Sequence, residues 1–145
     1  MLTDIHSYLP ISAQLATAGQ PTAEQFGEIA QAGFTTVINL ALPTSTNALP
    51  DERAVVEAQG MTYYPIPVDW EYPTLRDFQQ FASALAAAAD QKVFVHCALN
   101  MRVSAFVYVY RCLRGVPREA AAADLAKIWQ PNETWQNFIN AVLLE

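Results

Sequence analysis

Apolar and polar positions change their spacing repeatedly along the chain, and each change marks an element. The run FTTVINLAL is β-branched and continuously apolar, which predicts a buried strand from about Thr35 to Leu40. Lys92 to His96 is the most apolar strand candidate. QLATAGQP, Gln14 to Pro21, reads as a short strand closing in a turn punctuated by glycine and proline. MTYYPIPV is a further strand, with Pro65 and Pro67 marking its end or an edge. Between these runs the apolar residues recur at helical spacing. Thr22 is placed to cap the helix AEQFGEIAQAG, which Gly33 ends. DERAVVEAQG is a short helix closed by Gly60. Leu75 to Ala89 carries an apolar face of Leu75, Phe78, Phe81, Ala82 and Leu85. Arg102 to Arg114 is apolar almost all round, which predicts a central, buried helix. PREAAAADLAKIW, with Pro117 near its first turn, and NETWQNFINAVLL, capped by Asn132, complete the set.

Strands alternate with helices, and the strands read as unbroken apolar runs. This pattern predicts an α/β fold: a central, mostly parallel sheet of about four strands flanked by helices on both faces. Residues 1–145 contain no repeat and no linker, so one domain is expected. Ligands of such sheets bind beyond the carboxyl ends of the strands.

Composition narrows the partners. Hydrophobic residues make up 52% and charged residues 15%, the balance of a chain with a packed core. The net charge of -6 argues against nucleic acid or an anionic membrane as a partner. Only eight Lys and Arg residues are available to attract an anion. Two cysteines, Cys97 and Cys112, form no disulfide framework or metal-ligand pattern, and free thiols fit a reducing compartment. MLTDIHSYLP lacks a basic segment followed by an apolar one, and Arg111 and Arg114 interrupt the longest apolar run. A cytoplasmic protein is the resulting expectation.

The chemistry concentrates in VFVHCALNMRVSAF. Cys97 sits at the end of the most apolar strand, and a helix starts a few residues later. Unpaired N–H groups of the turn and of the helix start then converge on the sulfur. Their partial charge, together with Arg102, favours thiolate over thiol. The same donors, from Ala98, Leu99, Asn100 and Met101, suit a tetrahedral oxyanion, and a guanidinium can grip two of its oxygens. One site would thus bind an anion and aim a nucleophile at its centre.

VFVHCALNMRVS resembles the His-Cys-x5-Arg-Ser/Thr signature of the cysteine-dependent tyrosine and dual-specificity phosphatases. The layout from GQPT through GFTTVINL and YYPIPVD to VFVHC is similar to the bacterial beta-lactamase-hydrolase-like, phosphatase-like domain family, over roughly Ala13 to Arg114. The resemblance implies a protein-tyrosine-phosphatase-like fold and hydrolysis of phosphate monoesters through a phosphocysteine, with no metal or organic cofactor. It implies Cys97 as nucleophile, Arg102 as the phosphate-gripping residue and Asp69 in PVDWEYP as the general acid, with Glu71 next in line. His96 would tune the thiol, and Ser104 would ease departure of the thiolate or, equally, bond a carbonyl one turn back.

The signature is not matched throughout. Arg102 lies five residues after Cys97 rather than six, and Asn100 stands where glycine is common. Ser104, seven residues after Cys97, keeps the expected hydroxyl. Either the loop is a residue shorter, or Val103 occupies the arginine slot and the domain only binds anions. Cys-x4-Arg is also the spacing of rhodanese-type sulfurtransferases, so a Cys97 persulfide is an alternative chemistry. Asn39 at a strand end could buttress the Cys97 loop or simply close its own strand. Trp70 and Tyr72 could wall a pocket. Cys112 is expected to pack, Arg111, Arg114 and Arg118 to be solvated, and His6 has no assigned role.

Overall fold

The computed structural model describes residues 1–144. A short 3-10 turn, Leu2–Asp4, leads into β1 (Leu9–Ser12) and β2 (Leu15–Ala18). There follow α1 (Ala23–Gln31), β3 (Thr36–Asn39), α2 (Glu52–Ala58), β4 (Thr62–Pro65), α3 (Leu75–Ala87) and β5 (Val93–His96). Helices α4 (Met101–Leu113), α5 (Arg118–Ile128) and α6 (Glu133–Leu143) end the chain. The sheet order is β1-β2-β5-β3-β4. β2, β5, β3 and β4 run parallel, as expected for apolar strands alternating with helices. The fifth strand, β1, pairs antiparallel at the edge. Its sequence LPIS is short and holds a proline, which is why the apolar pattern did not mark it.

Period two along the strands sorts side chains into two cores. Ile38, Val93 and Val95 face α3, α4 and α6, where Phe81, Phe106, Trp135 and Phe138 pack. Val37 and Phe94 face α1 and α2, against Phe26, Ile29 and Val56. Both faces of β5 are therefore covered, and all four of its residues are buried. Thr22 and Thr74 cap α1 and α3 through reciprocal side-chain and backbone bonds, and Asn132 caps α6. Among the described residues no helix is long and apolar enough to cross a membrane.

The same period two puts Asn39 and His96 on the α1–α2 face, at the carboxyl ends of β3 and β5, where they are register partners. Polar side chains thus gather beneath the point where β5 turns into α4. On the opposite face Phe106 stacks on Phe138 at 5.4 Å and meets Phe78 and Phe81 edge-on. Phe106→Ala should lower stability by about 3–5 kcal/mol, read by denaturant unfolding, because this ring joins α3, α4 and α6.

Candidate functional site

The turn from β5 to α4 is made by Cys97, Ala98, Leu99 and Asn100. Asn100 adopts φ 68° and ψ 0°, the left-handed conformation that asparagine tolerates better than most residues. Its side-chain N–H donates to the carbonyl of Ser7 at 2.9 Å and to Thr17 Oγ1 at 3.1 Å, which locks the turn. The Ala98 carbonyl is held by the N–H of Gln20 and by Asn47 Nδ2, both at 3.1 Å. A Cβ on Gly19 would lie 2.7 Å from that carbonyl, so glycine there permits the close approach. The N–H of Ser104 donates to the Asn100 carbonyl at 2.8 Å and closes the first turn of α4.

The spacing question is answered by orientation. Arg102 lines a cavity of about 400 Å³ together with Cys97, Ala98, Leu99 and Met101 from the turn. Leu42, Thr44, Ser45, Thr46 and Trp70 form the opposite wall. Val103 is fully buried in the core beside Phe106 and does not line the cavity. Arg102 is only 6% exposed, and its Nη1 donates to the Val68 carbonyl at 3.0 Å. Among the described residues it makes no ion pair. A buried guanidinium with spare donors and no carboxylate beside it is a site prepared for an anion.

Other expected site residues are placed elsewhere. The exposed Asp69 carboxylate accepts the N–H of Glu71 at 2.9 Å and does not line the cavity. It follows Val68, however, so the Arg102 bond ties its loop to the Cys97 turn. Glu71 and the exposed Tyr72 lie along a separate groove against α6. Ser104 Oγ donates to the Met101 carbonyl at 2.8 Å and accepts from Trp129 Nε1 at 3.0 Å, so this hydroxyl braces α4 and α5 instead of serving the thiol. Asn100 likewise turns its side chain into the fold rather than toward the cavity. Trp70 does wall the cavity. It packs on Trp129 and Trp135, and its carbonyl accepts from Trp135 Nε1 at 2.8 Å.

His96 lies beneath the turn, fully buried. Its Nδ1 meets the Cys97 carbonyl at 3.2 Å and its Nε2 meets Glu52 Oε2 at 2.7 Å. Glu52, from the first turn of α2, also accepts from Gln20 Nε2 at 2.7 Å, Tyr63 Oη at 2.9 Å and Asn39 Nδ2 at 3.1 Å. Asn39 closes its own strand, its Oδ1 accepting the Ala41 N–H, and reaches the Cys97 turn only through Glu52 and His96. Glu52 had no signal in the sequence beyond an acidic first turn, a position usually solvated. Burial pushes its carboxyl up, but the hydrogen bonds and charge of His96, with the bonds from Gln20 and Tyr63, outweigh that and hold it below the usual value.

Comparisons with known proteins give the family and the fold. The family model described as "DSP-PTPase phosphatase fused to NAD+ Kinase" matches residues 6–138. A beta-lactamase hydrolase-like protein of Xylella fastidiosa is 32% identical over 95 residues, covering 63% of this chain. The chain spans about a fifth of that relative's length, 22%. A candidate phosphatase of Shewanella putrefaciens CN-32 is 33% identical, with a TM-score of 0.87 over 97% of this chain and 93% of its own. The fold is also shared with P. aeruginosa TpbA, solved as a cysteine-to-serine variant in complex with pTyr, at 16% identity and a TM-score of 0.73 over 95% and 88% of the two chains.

Because the folded state lowers the Glu52 carboxyl below its ordinary value of 4.5, ionised Glu52 contributes stability above that pH. The contribution is lost as pH falls through the folded-state value. Glu52→Gln should cost about 3 kcal/mol at pH 7 by denaturant unfolding, and the difference from wild type should shrink steadily below pH 4.5.

Proposed function

Since the chain belongs to the family of dual-specificity-type tyrosine phosphatase domains of the kind fused to NAD+ kinase, we propose that it hydrolyses phosphate monoesters through a phosphocysteine at Cys97. The observation that carries this reading is the buried Arg102, without an ion pair among the described residues, sharing one cavity with Cys97. In the first step the Cys97 thiolate attacks phosphorus and the ester P–O bond breaks. Arg102 and the N–H groups at the start of α4 hold the non-bridging oxygens as charge moves onto them. Asp69 exchanges its bond to the Glu71 N–H for the leaving oxygen and gives it a proton. In the second step water attacks phosphorus, Asp69 takes the water's proton, and the S–P bond breaks to release phosphate and the thiolate.

The cavity walls favour one substrate class. Leu42, Trp70, Leu99 and Met101 offer apolar surface, while Arg102 is the one cation among the lining residues. A single phosphate on an aromatic or apolar group fits that lining better than a polyphosphorylated ligand. The TpbA complex with pTyr is a chain of the same fold holding such an ester.

Wild type should turn over p-nitrophenyl phosphate, and Cys97→Ser should lower the rate by at least about 10³-fold. Absence of any Cys97-dependent turnover would overturn the proposal, and a persulfide mass on Cys97 after thiosulfate treatment would assign sulfur transfer instead. Arg102→Lys should lose about 10²-fold, because an ammonium cannot replace the planar fork. Asp69→Asn should slow alkyl phosphates about 10²-fold while sparing esters with good leaving groups. Equal losses on both ester types would reassign the acid to another residue.

A further inference from the structure

We propose that Glu52 is a positioning residue for the Cys97 nucleophile: as a buried carboxylate it keeps both ring nitrogens of His96 protonated, and so holds a positive charge directly beneath the Cys97 carbonyl. The proposal deepens the phosphocysteine reading and rests on it only for the claim that Cys97 reacts as a thiolate.

The donors and acceptors around the pair fix its protons. The Cys97 carbonyl can only accept, so Nδ1 of His96, 3.2 Å away, carries a proton. The other nitrogen faces Glu52 Oε2 at 2.7 Å, and the state of that carboxyl follows from its remaining neighbours. Asn39 is oriented by its Oδ1, which accepts the Ala41 N–H at 2.8 Å, so its Nδ2 must be the group facing Glu52 and Tyr63. The Tyr63 oxygen accepts from that Nδ2 at 2.9 Å and donates its own proton to Glu52 Oε2. Gln20 is oriented the same way, its Nε2 donating both to the Pro21 carbonyl at 3.0 Å and to Glu52 Oε1 at 2.7 Å. Asn39, Tyr63 and Gln20 all donate, so among the side chains bonded to Glu52 only Nε2 of His96 could accept its proton. Between those two the imidazole is the stronger base, by about two pH units even before the three donors stabilise the carboxylate. Glu52 is therefore the carboxylate, and Nε2 of His96 also carries a proton.

The surroundings keep the charge on this pair. Phe26 of α1 meets the His96 ring edge-on at 5.8 Å and excludes water. From β3 only Asn39 reaches the pair, and from β4 only Tyr63, whose hydroxyl burial pushes well above its usual range. From α2, Arg53 sits over the outer face of the Tyr63 ring at 5.3 Å, and Asp51 is exposed at the start of the helix. The thiol of Cys97 is the group above. Seen from the Cys97 carbonyl, the imidazolium is the near end of the pair and the carboxylate lies beyond the far ring nitrogen, an arrangement whose net field at the turn favours the thiolate.

The test reads the thiol and the imidazole rather than turnover. The rate of Cys97 alkylation by iodoacetamide, followed on its peptide by mass spectrometry, should have its pH midpoint moved upward by about one unit in Glu52→Gln. Glu52→Asp, which retains the charge, should restore most of the shift. Nitrogen-15 spectra of wild type at about pH 7.5 should show both His96 nitrogens protonated. The chain has two histidines, and His6→Gln assigns the signals. An unmoved alkylation midpoint in folded Glu52→Gln, or a singly protonated His96 in wild type, would overturn the proposal. The wild-type spectrum decides even where the variant does not fold. A shifted midpoint in a protein without phosphatase activity would sink the hydrolysis reading and leave this one standing.

Discussion

A strand buried on both faces has to give way to a buried helix within four residues, and the site depends on how that turn is made. Neither β5 nor α4 can shift toward solvent, because Val95 and Phe106 sit in one core and Phe94 in the other. The turn therefore cannot lengthen. Asn100 solves the geometry by taking a positive φ and anchoring its amide to Ser7 and Thr17. Its own Oδ1 is left buried without a partner, a cost the turn carries in order to hold this shape. With the turn fixed, Cys97 and Arg102 are fixed with it, and Val103 is committed to the core.

Two basic side chains are buried beside the Cys97 turn, and they differ in what balances them. His96 lies below with the Glu52 carboxylate at 2.7 Å. Arg102 lies in the cavity wall with only the Val68 carbonyl. In a chain of net charge -6, Arg102 is thus a guanidinium with no ion-pair partner among the described residues. The asymmetry sets a histidine bonded to a carboxylate against an arginine open to the cavity.

The aromatic wall links this site to the last two helices. Trp135 from α6 holds the Trp70 carbonyl, and Trp129 at the end of α5 packs between them while donating to Ser104 on α4. The loop that carries Asp69 is thus fastened at one side by Arg102 and at the other by Trp135, an indole 65 residues beyond Trp70. Residues beyond Arg114, outside the stretch whose layout resembled a phosphatase, brace the Trp70 wall of the pocket from behind.

Runs of β-branched and apolar residues were enough to place β2, β3, β4 and β5 and all six helices, since a strand covered on both faces and a helix with one wet face write different periods into the chain. Cys97 and Arg102 were legible for the same reason: a cysteine closing the most apolar strand and an arginine opening the most apolar helix stand out. Three features needed the tertiary structure. Whether Arg102 or Val103 faces the cavity depends on the rotation of α4, which packing against Phe78, Phe81 and Phe138 decides. Ser104 matched a signature by spacing yet turns to Trp129, a partner 25 residues away. Glu52 reads as one more solvated helix-start acid, and only the parallel register that sets Asn39 beside His96 and lowers α2 onto both makes it a buried carboxylate. Local periodicity is written along the chain, whereas the pairing of charges between elements exists only once those elements have packed.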